Sequence, residues 1–181
     1  NMRIGSYNVD ITTYRKEEAY EGRNPSKITY TNNLLLDAER RDFTINAFYM
    51  NRNEEIIDLY DGQKDIKRKM IRAIGNPTTR VREDPLRILR AVRFASIYKF
   101  SLEKNLANAI KRDKKMLNEL SLTRIKKELD GILLANGFTL LRQLNLLKEL
   151  QITTKSIVYV NDLSGLWAQI KTEVEYPQTK S

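Results

Sequence analysis

Residues 82–94 read REDPLRILRAVRF, and this stretch governs how the rest of the sequence is interpreted. Asp84 followed by Pro85 is typical of a helix start, because Asp caps free backbone N–H groups and Pro already has a helical φ angle. A charged series recurs at every third position, along one side of this helix: Asp84, Arg87, Arg90 and Arg93. Apolar residues occupy the opposite side, namely Ile88, Leu89, Val92 and Ala95. The stretch therefore predicts a helix with one packed face and one face that carries a carboxylate and three guanidinium groups.

The periodicity on either side of this helix predicts an α+β fold. Before residue 62 we expect strands at 7–13, 27–30 and 56–59, a loop at 16–26, and a helix over 34–50. After residue 62 the apolar spacing is helical, with helices expected at 64–70, from 101, at 121–133 and at 138–150. Asn136 and Gly137 are a typical helix stop, and residues 176–181 are expected to form a frayed tail.

The overall composition predicts a globular protein with a polyanionic partner. The 181 residues are 41% hydrophobic, and 32 Lys and Arg against 23 Asp and Glu give a net charge of +9. Such a charge favours nucleic acid or a nucleoside triphosphate, with an anionic membrane surface as the weaker alternative. No run approaches the roughly 20 apolar residues of a membrane span, and the start lacks a signal-peptide pattern, so we expect a cytoplasmic protein.

The chain contains neither cysteine nor histidine. A disulfide framework, a thiolate nucleophile, a Cys-type zinc site and an imidazole general base are thereby excluded within it. The remaining reactive groups are carboxylates, Arg and Lys, which suit phosphoryl chemistry because metal ions and cations neutralise the charge there.

Two segments carry candidate site residues, and each allows two interpretations from its residues alone. Residues 39–47, ERRDFTINA, provide either a grip on a nucleotide, through guanidinium forks and a carboxylate, or an exposed charged helix end. Asp84 and Arg87 either read the edge of a base, as an acceptor and a donor one turn apart, or serve as a helix cap and part of a solvated face.

Three segments in close succession resemble one known family: ERRDFTINAF at 39–48, DLYDGQKDIKRKMIRAIG at 58–75 and REDPLRILRAVRFA at 82–95. Over residues 9–137 the chain resembles the class II tRNA CCA-adding enzymes and bacterial poly(A) polymerases. The resemblance implies a partial polymerase-β-like nucleotidyltransferase head followed by an all-helical neck. Residues 1–62 would form the C-terminal part of the head, 63–137 a neck with the nucleobase-recognition helix, and 138–181 the start of a helical body and tail.

The resemblance also implies roles for individual residues. Arg41 and Asp42 match a motif that binds triphosphate and sugar, with Asn46 in support. Asp84 and Arg87 match the pair that hydrogen-bonds the incoming cytosine or adenine. Arg90 and Arg93 match positions near the triphosphate.

Three further features of the family map onto this chain. Glu83 is expected to orient Arg87, and residues 121–133 resemble a neck helix that helps to hold the template residues, Arg124 included. Residues 16–25 resemble the flexible loop that the family uses for adding the terminal A.

The implied activity is transfer of CMP or AMP from CTP or ATP to the 3′ end of tRNA or another RNA. Mg²⁺ is the implied cofactor, bound by an Asp-x-Asp strand that we expect upstream of Asn1. Asp10 falls on a neighbouring strand, and one carboxylate does not hold two metals. We predict no metal ligand within the chain, an inactive chain on its own, and a complementing N-terminal segment as a partner.

Three alternatives to CCA addition stay open at this stage. The chain could belong to a poly(A) polymerase or a CC-only enzyme of the same family. It could be a non-catalytic RNA-binding module derived from that family. It could also be a helical scaffold, which would leave the charged series without a ligand.

Overall fold

The computed structural model describes residues 2–21 and 24–150, which form short strand pairs followed by packed helices. The strands are β1 (Met2–Ile4), β2 (Tyr7–Val9), β3 (Arg15–Glu21), β4 (Asn24–Tyr30), β5 (Phe48–Met50), β6 (Ile56–Asp58), β7 (Met70–Ile71) and β8 (Ser101–Leu102). The helices are α1 (Leu34–Glu39), α2 (Gly62–Lys67), α3 (Pro77–Glu83), α4 (Leu86–Tyr98), α5 (Lys104–Asp113), α6 (Leu122–Leu134) and α7 (Phe138–Gln143). Two 3₁₀ segments span Thr44–Asn46 and Lys114–Glu119. The predicted α+β class is confirmed.

The strands pair two by two. Pairs β1–β2, β3–β4 and β5–β6 are antiparallel, whereas β7 and β8 are parallel, with Met70 opposite Ser101. The β7–β8 pair ties the start of the helical part to the segment that follows α4. No helix among the described residues has the length and apolar character that crossing a bilayer requires.

Helix α4 forms the centre of the hydrophobic core. Its residues Ile88, Leu89 and Val92 are fully buried, as the sequence pattern predicts. They pack in one cluster with Leu129 and Ile132 of α6. Since full burial of one such side chain contributes about 1.5–3 kcal/mol, the contact between α4 and α6 contributes substantially to the stability of the helical part.

The predicted helix over residues 34–50 is wrong beyond Glu39. Helix α1 ends there, and the chain continues through the Thr44–Asn46 segment into β5, where Phe48 pairs with Asp58 of β6. The cause is tertiary pairing: Phe43 forms a bridge with Ala73, and the Thr44 N–H donates to the Arg72 carbonyl at 3.0 Å. Aromatic and β-branched residues in this stretch favour extended backbone once a partner strand is present.

The predicted loop at 16–26 is also wrong, because most of it belongs to the β3–β4 hairpin. Arg15 pairs with Tyr30 and Glu17 with Ile28. Cross-strand backbone hydrogen bonds form whatever the side chains are, so they override the low strand propensity of a charged segment. The turn residues Gly22 and Arg23 lie outside the described residues, as does the predicted tail at 176–181.

Helix boundaries differ from the sequence expectations where strands compete. Residues 101–102 form β8, and α5 begins only after Glu103, whose carboxylate accepts from the Leu106 N–H at 3.0 Å. The strand expected over 7–13 ends at Val9. Met70, the last residue of the helix expected over 64–70, instead begins β7. Helix α7 ends at Gln143, short of the predicted residue 150.

Two predicted helix boundaries are confirmed. The Leu86 N–H donates to Asp84 Oδ1 at 3.2 Å, so the Asp84 side chain caps a free N–H in the first turn of α4, although the helix begins at Leu86, after Pro85, one residue later than predicted. Helix α6 follows Ser121 and stops before Asn136, which has a left-handed φ of 56°.

Candidate nucleotide-binding site

A cleft of about 380 Å³ lies where the segment after α1 meets helix α4. Its lining residues are Arg40, Arg41, Asp42, Asn46, Asp84, Arg87, Arg90 and Phe94. This volume lies within the roughly 300–1,000 Å³ of small-molecule sites. Four guanidinium groups against two carboxylates give the lining a net positive charge, which suits an anionic ligand.

Six of the seven residues predicted from sequence line this cleft, and Arg93 is the exception. Two lining residues are additional. Arg40 directly precedes Arg41 in the charged motif, and this adjacency is the sequence feature that could have identified it as a lining residue. Phe94 had no chemical signal in the sequence, because an aromatic residue on an amphipathic helix is ordinarily a core residue.

Asp42 joins the two sides of the cleft. Its Oδ2 accepts from Arg90 Nε at 2.7 Å and from Nη2 at 2.6 Å, across 48 positions of sequence. Its Oδ1 accepts from the Phe43 N–H at 2.8 Å and from Asn46 Nδ2 at 3.0 Å. Charge-assisted bonds of this kind are about twice as strong as neutral ones, so Asp42 is firmly placed.

Arg41 is bound on the side away from the cleft by the buried carboxylate of Asp37 and by its neighbours. Its Nη2 donates to Asp37 Oδ2 at 3.3 Å, its Nε to the Tyr49 hydroxyl at 3.1 Å, and its Nη1 to the Asn46 carbonyl at 3.0 Å. The guanidinium also lies over the Tyr49 ring, 4.9 Å from its centroid. Burial and the hydrogen bond to Asp37 raise the pKa of Tyr49 to about 12, so this phenol stays protonated and donates to Asp37.

Asp84 and Arg87 keep unused hydrogen-bonding capacity. Arg87 is buried, 8% exposed, and its Nη1 donates to the Arg80 carbonyl at 2.8 Å and to Glu83 Oε2 at 3.0 Å. Neither its Nε nor its Nη2 has a partner within residues 2–21 and 24–150. Asp84 Oδ1 accepts from the Leu86 N–H and lies 3.5 Å from Arg124 Nη2, whereas Oδ2 accepts from no described residue.

The charged side of α4 is therefore not the open, solvated face that the spacing alone allows. Arg93 Nε donates to Glu128 Oε2 at 2.6 Å, and Arg90 Nη1 lies 3.7 Å from Glu128 Oε1. Glu128, on α6, is only 5% exposed. Arg93 also lies over the Phe94 ring, at 4.4 Å from its centroid. Arg93 thus connects two helices beside the cleft.

The described residues do not fit a metal centre. They contain no group of three or more carboxylates that could hold an ion, and Asp10 lies exposed in the segment after β2. No metal-dependent step is therefore assigned to these residues.

Comparison with known proteins identifies the family. Residues 1–72 match the poly A polymerase head domain. The chain is 48% identical over 125 residues to the CCA-adding enzyme of Lactobacillus delbrueckii subsp. bulgaricus, covering 68% of this chain and 32% of the relative. It is 36% identical over 163 residues to that of Streptococcus gordonii, covering 90% of this chain and 39% of the relative.

Solved structures agree with the sequence relatives. The Bacillus stearothermophilus CCA-adding enzyme in complex with CTP superposes with a TM-score of 0.71 at 30% identity, over 88% of this chain and 38% of that one. A CCA-adding enzyme in complex with ATP gives a TM-score of 0.58 at 30% identity, over 69% of this chain and 31% of that one. The predicted nucleotidyltransferase head followed by helices is confirmed, and the chain spans about a third of the length of its curated relatives. The chain belongs to the class II family of CCA-adding enzymes and bacterial poly(A) polymerases.

Proposed function

We propose that this chain selects the nucleotide for an RNA nucleotidyltransferase that adds CMP and AMP, from CTP and ATP, to the 3′ end of tRNA. One observation carries the proposal: the cleft that contains Asp84 and Arg87 is also lined by Arg40, Arg41 and Arg90. The first pair suits the polar edge of a base, and the remaining guanidinium groups suit phosphate oxygens. A nucleoside triphosphate combines both features in one ligand.

The chemistry of Asp84 and Arg87 favours cytosine and adenine. Both bases present an exocyclic amino group beside a ring nitrogen that accepts. A carboxylate oxygen accepts from the amino group while a guanidinium donates to the ring nitrogen. At the equivalent ring positions, C4 of uracil and C6 of guanine carry a carbonyl oxygen in place of this amino group, and that oxygen would face the Asp84 carboxylate without a proton between them. Good bidentate pairs discriminate by about 1–3 kcal/mol, which corresponds to roughly fivefold to 150-fold in affinity.

The remaining predicted residues are proposed to hold the sugar and the phosphates. Arg41 and Asp42 would bind triphosphate and sugar, with Asn46 supporting Asp42 through its 3.0 Å hydrogen bond. Arg90 and Arg93 would lie near the triphosphate. In this arrangement Arg90 exchanges part of its pairing with Asp42 for phosphate oxygens.

The domain division and the cofactor belong to the same proposal. We assign residues 1–62 to the head, 63–137 to the neck and 138–181 to the start of the body and tail. The matched head-domain family extends past this boundary to residue 72. The divalent metal is proposed to be Mg²⁺, and its carboxylate ligands are assigned by the resemblance to the part of the family sequence that precedes the matched segment.

Calorimetric titration of CTP, ATP, GTP and UTP, with Mg²⁺, into the purified chain tests the proposal. We expect CTP and ATP to bind at least fivefold more tightly than GTP and UTP. The informative variant is Asp84→Asn, because Asn is an equally good helix cap and preserves the bond from the Leu86 N–H. Its amide presents a donor as well as an acceptor, so the preference should shrink while folding is unchanged.

The outcomes separate the proposal from its rivals. Equal binding of all four nucleotides by a folded chain contradicts base selection by Asp84 and Arg87. Absence of nucleotide binding, together with salt-dependent binding of a tRNA acceptor-stem RNA, would favour the non-catalytic RNA-binding module.

A further inference from the structure

A buried carboxylate lies behind the cleft, on a residue that does not itself line the cleft. Asp37, on helix α1, is 1% exposed. Its Oδ1 accepts from Arg40 Nε at 2.8 Å, with Arg40 Nη2 at 2.7 Å. Its Oδ2 accepts from Arg41 Nη2 at 3.3 Å and from the Tyr49 hydroxyl at 2.9 Å. One carboxylate thus holds both consecutive guanidinium groups that line the cleft.

Contacts from three elements surround Asp37. The Arg15 backbone N–H at the start of strand β3 donates to Asp37 Oδ1 at 3.3 Å. On the same side, Glu17 lies 3.6 Å from Arg40 Nη1. The Tyr49 ring is packed edge-on against Tyr14 with centroids 5.8 Å apart. Helix α1, the β3–β4 hairpin and strand β5 therefore all meet at this one carboxylate.

Burying a carboxylate with two guanidinium groups costs free energy, which argues that this cluster has a role beyond stability. Taking a carboxylate and guanidinium groups out of water is expensive, and an apolar cluster of similar size is often at least as stable. Long Arg side chains lose much rotamer freedom when they are fixed. A site that must present two guanidinium groups in one orientation gains from such a support, because ordering them in advance lowers the entropy lost on ligand binding.

We propose that Asp37 is a positioning residue that fixes the orientations in which Arg40 and Arg41 meet the phosphates of a bound nucleoside triphosphate. The proposal rests on the proposed function of the cleft and adds a residue that does not touch the ligand. Asp37 lies behind the two guanidinium groups, so its effect on the nucleotide is transmitted through them.

The sign of the effect distinguishes positioning from simple electrostatics. Replacing Asp37 with Asn removes a negative charge beside two lining Arg residues, which on Coulomb grounds alone would tighten the binding of a polyanion. If Asp37 acts by orienting the guanidinium groups, the same substitution weakens binding, because misplaced donors lose charge-assisted hydrogen bonds to phosphate. We expect about a tenfold weaker affinity for CTP.

The test compares CTP, CDP and CMP binding to the chain and to Asp37→Asn by calorimetry, and repeats the triphosphate titration with UTP. Positioning predicts a loss that grows with the number of phosphates, and an unchanged ratio of CTP to UTP affinity. Asp113→Asn is the matched control, since Asp113 is also buried, 9% exposed, and also bound by two arginines, Arg82 and Arg112. That variant should bind all three nucleotides as the unaltered chain does.

A second variant still tests the proposal if Asp37→Asn does not fold. Tyr49→Phe removes the hydroxyl that joins Asp37 and Arg41 but retains the ring against Tyr14 and under the guanidinium. It should show a smaller loss with the same dependence on phosphate number.

Three results would overturn the inference: unchanged or tighter CTP binding in a folded Asp37→Asn variant, an equal loss for CTP and CMP, or the same loss in Asp113→Asn. Failure of the unaltered chain to bind CTP would overturn the proposed function as well, whereas binding without any effect of Asp37 would overturn this inference alone.

Discussion

Replacing Gly131 with alanine tests how Arg93 is held between helices α4 and α6. Gly131 lies inside α6, where alanine ordinarily stabilises a helix over glycine by about 0.5–1 kcal/mol. A Cβ atom at this position would lie 2.5 Å from Arg93 Cδ and 3.2 Å from Cγ, too close for either atom to stay. The two effects have opposite signs, so their sizes decide the outcome.

The displacement of Arg93 should dominate. Moving its side chain breaks the 2.6 Å bond from Nε to Glu128, whose carboxylate is 5% exposed. Among the described residues, Glu128 then keeps only Arg90, at 3.7 Å. Loss of a hydrogen bond to a charged, buried group costs about 1.5–3 kcal/mol. After the helix-propensity gain is subtracted, we expect Gly131→Ala to lower the free energy of unfolding by about 0.5–2.5 kcal/mol.

Urea denaturation at neutral pH, followed by far-UV circular dichroism, measures this difference. The control is the same substitution in an Arg93→Ala background, where the clash is absent and alanine should stabilise by about 0.5–1 kcal/mol. Stabilisation by Gly131→Ala in the otherwise unaltered chain would refute the reasoning, since it would show that Arg93 and Glu128 adjust at no cost.

Three further predictions concern other contacts. Gly62→Ala should destabilise the chain by about 1–3 kcal/mol, because its Cβ would overlap the Thr44 carbonyl oxygen and lie 2.7 Å from Phe48 Cζ; an unchanged melting temperature would contradict this. Asp84→Ala should cost about 1 kcal/mol without any ligand, through loss of the helix cap, whereas Asp84→Asn should cost little; equal urea midpoints for the two variants would contradict it. Burial alone would raise the pKa of Asp37, but hydrogen bonds from Arg40 and Tyr49 outweigh it and hold the pKa below the ordinary 3.8. The folded state therefore binds this proton less readily than the unfolded state, so the stability that Asp37 contributes is present above pH 3.8 and lost as the pH falls through its lowered value. Unfolding free energies of the chain and of Asp37→Asn should converge in that acidic range, and a constant difference from pH 7 to pH 3 would argue against the assignment.

The local sequence pattern was enough to predict helix α4 and to identify the family. The Asp84-Pro85 start, the buried apolar face and the start of α6 after Ser121 each depend on residues within one or two turns of each other. Such features follow from helix geometry and from capping, which act over a few positions. The ordered segments at 39–48, 58–75 and 82–95 likewise identified the family without any structure. The nucleotide-binding roles of the individual site residues stay a prediction.

Tertiary structure decided what the charges bind and where extended backbone forms. Asp42 meets Arg90 across 48 positions, and Arg93 meets Glu128 across 35, pairings that no local period encodes. The bridge between Phe43 and Ala73 turned a helix-like sequence into extended chain, because backbone groups there find partners from a distant segment. The sequence by itself therefore determined the helix that carries the site, the chemistry available to it and the family. Only the packing of distant segments determined which Arg side chains face the cleft and which carboxylates bind those side chains. Ion pairs depend on distances in space rather than on distances along the chain.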